Sequence, residues 1–342
     1  MSVVIRLPLA IVLTLCASTL AHAQKTDIVT LGNGDRITGE IERLERGRLE
    51  FKTDDAGTLY LEWDKLSTLV TKRRVEVLTT DGIRYLGSLI QSPNRSITVL
   101  TDDGERLLMM PGVTLITPIG MRFWSQIDGS IDGGFSYTRS SGISQLNLHS
   151  DTIYRKPASR TRLTASLTQT TTDEDEGRDD RGSVELSFLK YPWPRWFVTS
   201  AGRFESNESL GLELRSQVGA AIGPRLVNSN RAQMVVGAGL AFNDEQGVDV
   251  EATQNLEMMF MFGTSFYTYD RPKTNFDLNL QYYPSLSNWG RNRVQLDLNA
   301  KREFFKDLFV AGTLYNSYDS RPPNEAANSN DVGVVFSIGW TY

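Results

Sequence analysis

Asp331-Val332-Gly333-Val334-Val335-Phe336-Ser337-Ile338-Gly339-Trp340-Thr341-Tyr342 carries large apolar side chains at every second position. Val334, Phe336, Ile338, Trp340 and Tyr342 fall on one side of an extended chain. Val335, Ser337, Gly339 and Thr341 fall on the other. Period two is the mark of a strand with one apolar and one polar face. The pattern recurs upstream. Val294, Leu296, Leu298 and Ala300 alternate with Gln295, Asp297, Asn299 and Lys301, and Phe276, Leu278, Leu280 and Tyr282 with Asn275, Asp277, Asn279 and Gln281.

Twelve such segments are expected, centred near 123–138, 143–155, 161–170, 183–191, 196–204, 210–222, 232–242, 252–268, 274–283, 293–303, 308–317 and 332–342. Many exceed the usual globular strand of about 5–6 residues. Even-numbered connections are short, as at Lys156-Pro157-Ala158-Ser159 and Asp270-Arg271-Pro272-Lys273. Odd-numbered ones tend to be long and polar, as at Thr171 to Arg181 and Asp319 to Asp331. Long alternating strands, even in number and joined alternately by short turns and long loops, predict an antiparallel transmembrane β-barrel with lipid outside and a polar lumen. A soluble sandwich would use shorter strands. The alternation at 334–342, ending on an aromatic, resembles the signal read by the outer-membrane barrel assembly machinery. Phe336, Ile338, Trp340 and Tyr342 carry it.

Residues 28–119 read differently. Asn33-Gly34-Asp35-Arg36-Ile37-Thr38-Gly39 resembles Asp81-Gly82-Ile83-Arg84-Tyr85-Leu86-Gly87 forty-eight positions later, and Thr53-Asp54-Asp55 resembles Thr101-Asp102-Asp103 at the same offset. Two matches at one offset predict a tandem of small β units, about 27–71 and 75–119, similar to SH3-like or Sm-like barrels. Lys72-Arg73-Arg74, the one basic cluster there, is expected to be a solvated linker rather than a nucleic-acid site.

The first 23 residues predict a cleaved secretory signal: Arg6, an apolar core too short to span a bilayer, then Ala21-His22-Ala23 as the cleavage site. The expected organisation is signal peptide 1–23, a periplasmic domain 24–119 and an outer-membrane barrel 120–342. The repeats precede the first strand directly and an even strand count returns the chain to their side, which places them in the periplasm of a Gram-negative bacterium. The expected partners are outer-membrane lipid, lipopolysaccharide, the assembly machinery, and either a periplasmic protein or peptidoglycan.

The 342-residue chain has 36 basic and 41 acidic residues, a formal charge of −5, one cysteine and two histidines. No polycation advertises nucleic-acid binding. With Cys16 and His22 removed in the signal, only His149 remains, which excludes disulfides, thiolate metal sites and histidine-rich centres. His149-Ser150 invites comparison with outer-membrane lipid hydrolases, but His149 shares the polar parity of Asn147 and Asp151 and is expected to face the lumen. No catalytic, cofactor or metal site is expected. The acidic run Asp173 to Asp180 lacks calcium-loop spacing and reads as a solvated loop. Tyr191, Trp193, Trp196, Tyr267, Tyr269, Trp289 and Trp340 are expected as interfacial girdle residues. The polar faces hold Arg162, Glu185, Arg203, Glu205, Glu213, Arg215, Asp277, Asp297 and Lys301. These either line a narrow selective channel or pair across the lumen and plug it.

Residues 124–342 resemble the salt-induced outer-membrane proteins of Gram-negative bacteria. Trp124, Gly129 to Thr138, Arg203-Phe204-Glu205, Leu210-Gly-Leu-Glu-Leu-Arg215, Gly219 and Gly223 carry the resemblance. It implies a location and a barrel fold, and no reaction. Ser140-Ser141-Gly142 departs from the Gly-Asn expected after the first strand. The leading expectation is an envelope structural or binding role with weak solute passage. A narrow selective channel and a lipid-modifying enzyme are the alternatives.

Overall fold

The computed structural model describes residues 26–120, 126–138, 143–172, 177–207, 212–247, 252–270, 272–305, 308–321 and 329–340. Among these residues the chain is all-β, in two sheets, with two short 3-10 turns.

The first sheet holds β1 (Asp27–Leu31), β2 (Arg36–Glu45), β3 (Arg48–Lys52), β4 (Thr58–Glu62), β5 (Leu66–Thr79), β6 (Arg84–Ile90), β7 (Ser96–Thr101), β8 (Gly104–Met109) and β9 (Val113–Pro118). Its elements recur in order. β2 and β6, and likewise β3 and β7, begin forty-eight residues apart, and the 3-10 turns Trp63–Lys65 and Met110–Gly112 stand forty-seven apart. β5 is long enough to serve both halves: its start pairs with β1, its end with β6 and β9. β9 reaches back to pair with β2 through Leu44 and Glu45, so the halves interlock. One core joins them, with Ile41, Leu49, Phe51, Trp63, Ile97 and Ile116 buried together. The Trp63 indole N–H donates to the Met110 carbonyl at 2.7 Å, tying one 3-10 turn to the other.

Lys72-Arg73-Arg74 is not a solvated linker. It sits within β5 at a register shift between Thr71 and Val75. Arg73 Nη2 donates to the fully buried Asp27 carboxylate at 2.5 Å, and Thr71 Oγ1 donates to the same group at 2.6 Å. Burial of Asp27 requires such partners, because an unpaired carboxylate there would lose its hydration uncompensated.

The second sheet has twelve antiparallel strands in sequence order: β10 (Ile127–Thr138), β11 (Ile143–Lys156), β12 (Ser159–Thr172), β13 (Gly177–Trp193), β14 (Trp196–Asn207), β15 (Leu212–Asn228), β16 (Ala232–Gly247), β17 (Thr253–Thr268), β18 (Thr274–Pro284), β19 (Asn292–Phe305), β20 (Leu308–Asp319) and β21 (Asn330–Trp340). Several strands outrun the sequence expectation. β12 and β13 stay paired out to Thr172 opposite Gly177, inside the expected loop, because their backbone ladder continues there. Residues 173–176 of the acidic run lie outside the described residues, as do Trp124, Tyr342 and residues 1–25 with the signal. Among the described residues no ladder joins β10 to β21.

The sheet is curled. β16 and β19 stand three strands apart, about 14 Å across a flat sheet, yet Glu245 at the end of β16 lies 3.2 Å from Arg291 just before β19. The polar parity is therefore concave. The convex face exposes the apolar parity, including Val184, Phe204, Val218, Leu240 and Phe260.

Candidate functional site

Arg46 and Gly47 form a two-residue hairpin between β2 and β3, with φ of 54° and 71°. Positive φ at both positions matches the type I′ geometry that suits the twist of a hairpin. The hairpin docks against the short turn after β15: a Cβ on Gly47 would lie 2.5 Å from the Asn230 carbonyl oxygen, so no larger residue fits without movement. Gly82, in the turn between β5 and β6, packs on Pro194 and Arg195 in the same close manner, with φ of 87°. Gly34, forty-eight positions earlier, meets nothing within 4 Å. Of these two turns one is docked and one is free.

The first sheet thus covers the short-turn end of the second. Ala158 N–H donates to Glu76, Asn228 reaches Thr114, and Asn230 Nδ2 donates to the Val113 carbonyl at 2.8 Å. Around a cavity of about 640 Å³ the charges alternate across the junction. Lys65 bridges to Asp270 at 3.0 Å, and Arg231 to Asp64 at 3.6 Å. The Asp270 carboxylate, by hydrogen bond and by charge, holds the Lys65 ammonium above its ordinary pKa. Arg46 goes furthest. Its Nη2 donates to Asp277 Oδ1 at 2.7 Å on the concave face, and its guanidinium lies 4.5 Å from the centre of the Tyr267 ring.

Tyr267 is buried and its hydroxyl donates to the Ser229 carbonyl at 3.0 Å. Tyr191 lies beneath two guanidiniums, those of Arg84 and Arg225. Neither is a girdle residue. Each lies at the covered end, where an aromatic face accepts an arginine. Trp193, Trp196, Trp289 and Trp340 are exposed.

At the opposite, long-loop end the concave face carries a chain of ion pairs. Glu185, Arg203, Glu205, Arg215 and Glu245 follow one another at 3.9, 3.4, 3.9 and 3.1 Å. Glu245 then meets Arg291 at 3.2 Å, and Arg291 meets Asp319 at 2.6 Å. Beside it Arg293 binds Glu257 through Nε and Nη2, at 2.8 and 2.5 Å, and Asn243 and Asn255 donate to the same carboxylate. Glu257 is wholly buried. Such burial of charge is tolerable only with partners on every lone pair.

The sequence candidates fall as follows. Glu185, Arg203, Glu205 and Arg215 belong to this chain of pairs. Arg162 stands apart, paired with Asp151. Asp277 holds Arg46. Glu213 accepts from Gln246 at 3.2 Å. Lys301 lies over the Phe309 ring, and Asp297 sits opposite Asn279 and Tyr315 without joining the network. Sequence reasoning passed over Glu245, Glu257, Arg291, Arg293 and Asp319. Parity alone flags Glu245 and Glu257, since they continue the polar sides of β16 and β17. Nothing local flags Arg291, which lies in a loop. His149 is exposed, opposite Asp132 and Ser166. No group of metal-binding side chains occurs among the described residues.

No curated protein matches the chain. A solved structure described as a bacterial polysaccharide outer membrane secretin matches with 11% identity and a TM-score of 0.34, over 79% of this chain and 97% of that one. The model of the family described as "Protein of unknown function, DUF481" matches residues 134–342, and with it comes no salt-induced label. That span takes in nearly all of the twelve-stranded sheet, from within β10 onward, and the chain belongs to this family.

Proposed function

We propose that the chain is an outer-membrane β-barrel stoppered at its periplasmic end by its own N-terminal module, with an envelope structural or binding role and no chemistry of its own. The observation that carries this reading is the Arg46 hairpin, which enters the concave face and pairs with Asp277. The convex apolar face supplies a lipid-facing wall, and the twelve strands supply the even count of a barrel. Closure of β10 on β21 completes it: with an even count the two edges are antiparallel, and lipid tolerates no unpaired edge. In this reading residues 1–23 are a removed signal and 24–119 a periplasmic domain of two small SH3-like or Sm-like units, about 27–71 and 75–119. The paired charges at the long-loop end plug the outer mouth, so transport is weak.

Conductance in planar bilayers tests the reading. The full chain is expected to give little or no steady current, and a chain lacking residues 26–118 more. A steady, solute-selective current through the full chain would instead establish the narrow channel. Phospholipid hydrolysis abolished by His149→Ala would establish the enzyme.

A further inference from the structure

The junction between module and sheet is electrostatically lopsided. On the Arg46 side Arg46, Lys65 and Arg231 pair with Asp277, Asp270 and Asp64, and the larger cavity there is lined by as many acidic side chains as basic ones. On the side of the Lys156–Ser159 turn a smaller cavity of about 80 Å³ is lined by five basic side chains, Arg43, Arg84, Arg155, Lys156 and Arg160, against two acidic ones, Glu45 and Glu76. Glu50 and Asp128 reach in to pair with Arg43 and Arg155, and Glu76 is taken by Arg84 and the Ala158 N–H. Lys156, Arg160 and the adjoining Arg225 have no carboxylate partner among the described residues. Positive charge is in excess.

The donors are in excess too. Arg225 is nine-tenths buried, and its Nε and Nη2 find no hydrogen-bond acceptor in the described chain; neither does Nη2 of Arg84. Both guanidiniums lie over the Tyr191 ring, at 4.4 and 5.0 Å, which fixes them in place. Buried guanidinium donors without acceptors lose their hydration with nothing in return. These three donors stand together beside one basic cavity, which Arg84 and Tyr191 line. At roughly 30 Å³ per water the cavity takes a group of only a few heavy atoms.

We propose that this cavity binds a phosphate group. Guanidinium forks match tetrahedral phosphate oxygens in geometry and charge, and the excess positive charge suits an anion. Two sources share that chemistry: free inorganic phosphate, and the headgroup of a phospholipid lying against the rim of the sheet, where Lys156 is exposed. The lipid source rests on the barrel reading above, whereas the free-ion source does not.

The test uses the full chain purified in dodecyl maltoside in phosphate-free buffer. One arm titrates inorganic phosphate by calorimetry. The other weighs the protein by native mass spectrometry for phospholipid retained through purification. Saturable phosphate binding at one per chain assigns the free ion, and retained phospholipid without phosphate binding assigns the headgroup. Either is expected to fall at least tenfold in the Lys156→Gln/Arg160→Gln variant, and to persist in a Lys65→Gln/Arg231→Gln control. Lys156 and Arg160 hold no ion pair among the described residues, so their replacement orphans no buried carboxylate. Arg225→Gln, checked for an unchanged β circular-dichroism spectrum, gives a second and independent loss. Absence of both phosphate and phospholipid, or binding unchanged in the Lys156/Arg160 and Arg225 variants, overturns the proposal.

Discussion

Arg46 donates to Asp277 at 2.7 Å across 231 positions of chain, from a hairpin tip of the first sheet into the concave face of the second. Asp277 is further held by Ser265 at 2.6 Å and Asn275 at 2.8 Å, so the acceptor is fixed before the arginine arrives. A preorganised acceptor and the Tyr267 ring make this the anchor of the junction. Arg46→Asp and Asp277→Arg are each expected to free the module. Contacting residues in one network couple by roughly 0.5–3 kcal/mol, so limited proteolysis of residues 26–118 should accelerate several-fold in each variant. The double swap should restore protection. Equal protection in all four proteins would remove the anchor role.

Arg293 and Glu257 pair inside the concave face, 5% and 0% exposed. Arg293→Met leaves an unpaired buried carboxylate and should cost about 3–5 kcal/mol. Arg293→Met/Glu257→Gln should recover most of that, since a neutral amide leaves no charge to solvate and its oxygen still accepts from the neighbouring asparagines. Denaturant midpoints of the detergent-solubilised protein measure both.

The barrel reading predicts heat-modifiable gel mobility: a compact band in unboiled detergent samples that slows on boiling. In that reading β10 closes on β21 and leaves no edge from which unfolding could begin. A stable monomer of residues 120–342 in water without detergent would contradict it.

Phe336, Ile338 and Trp340 project from β21 at 79%, 76% and 61% exposure. Apolar side chains in such a row require a covering, and in the proposed barrel lipid provides it. Phe336→Ser/Trp340→Ser should lower outer-membrane levels several-fold by immunoblot of fractionated cells, and unchanged levels would count against a lipid-facing β21.

The periplasmic placement is tested by labelling. The exposed Asp55 accepts a cysteine without disturbing the core, and the sequence holds no other cysteine beyond Cys16. Asp55→Cys should resist a membrane-impermeant maleimide on intact cells and react after permeabilisation. Labelling on intact cells reverses the topology.

Twelve strands were legible because period two is a local property: every residue of β18 or β19 declares its face through its neighbours two positions away. The offset of forty-eight was legible for the same reason, as Asn33-Gly34 and Asp81-Gly82 each stand within a short, similar stretch. Strand ends were less so, since the ladder between β12 and β13 continues through polar residues that read as a loop. The pairing of Arg291 with Glu245 and Asp319, and of Arg46 with Asp277, had no local signal at all. Tyr267 looks like any strand-end aromatic until the hairpin of Arg46 is seen above it. The alternation of the chain determined which side chains share a face. Only the curl of the second sheet and the docking of the first decided which of them meet, because Coulomb and hydrogen-bond energies depend on distances in space that sequence separation does not encode.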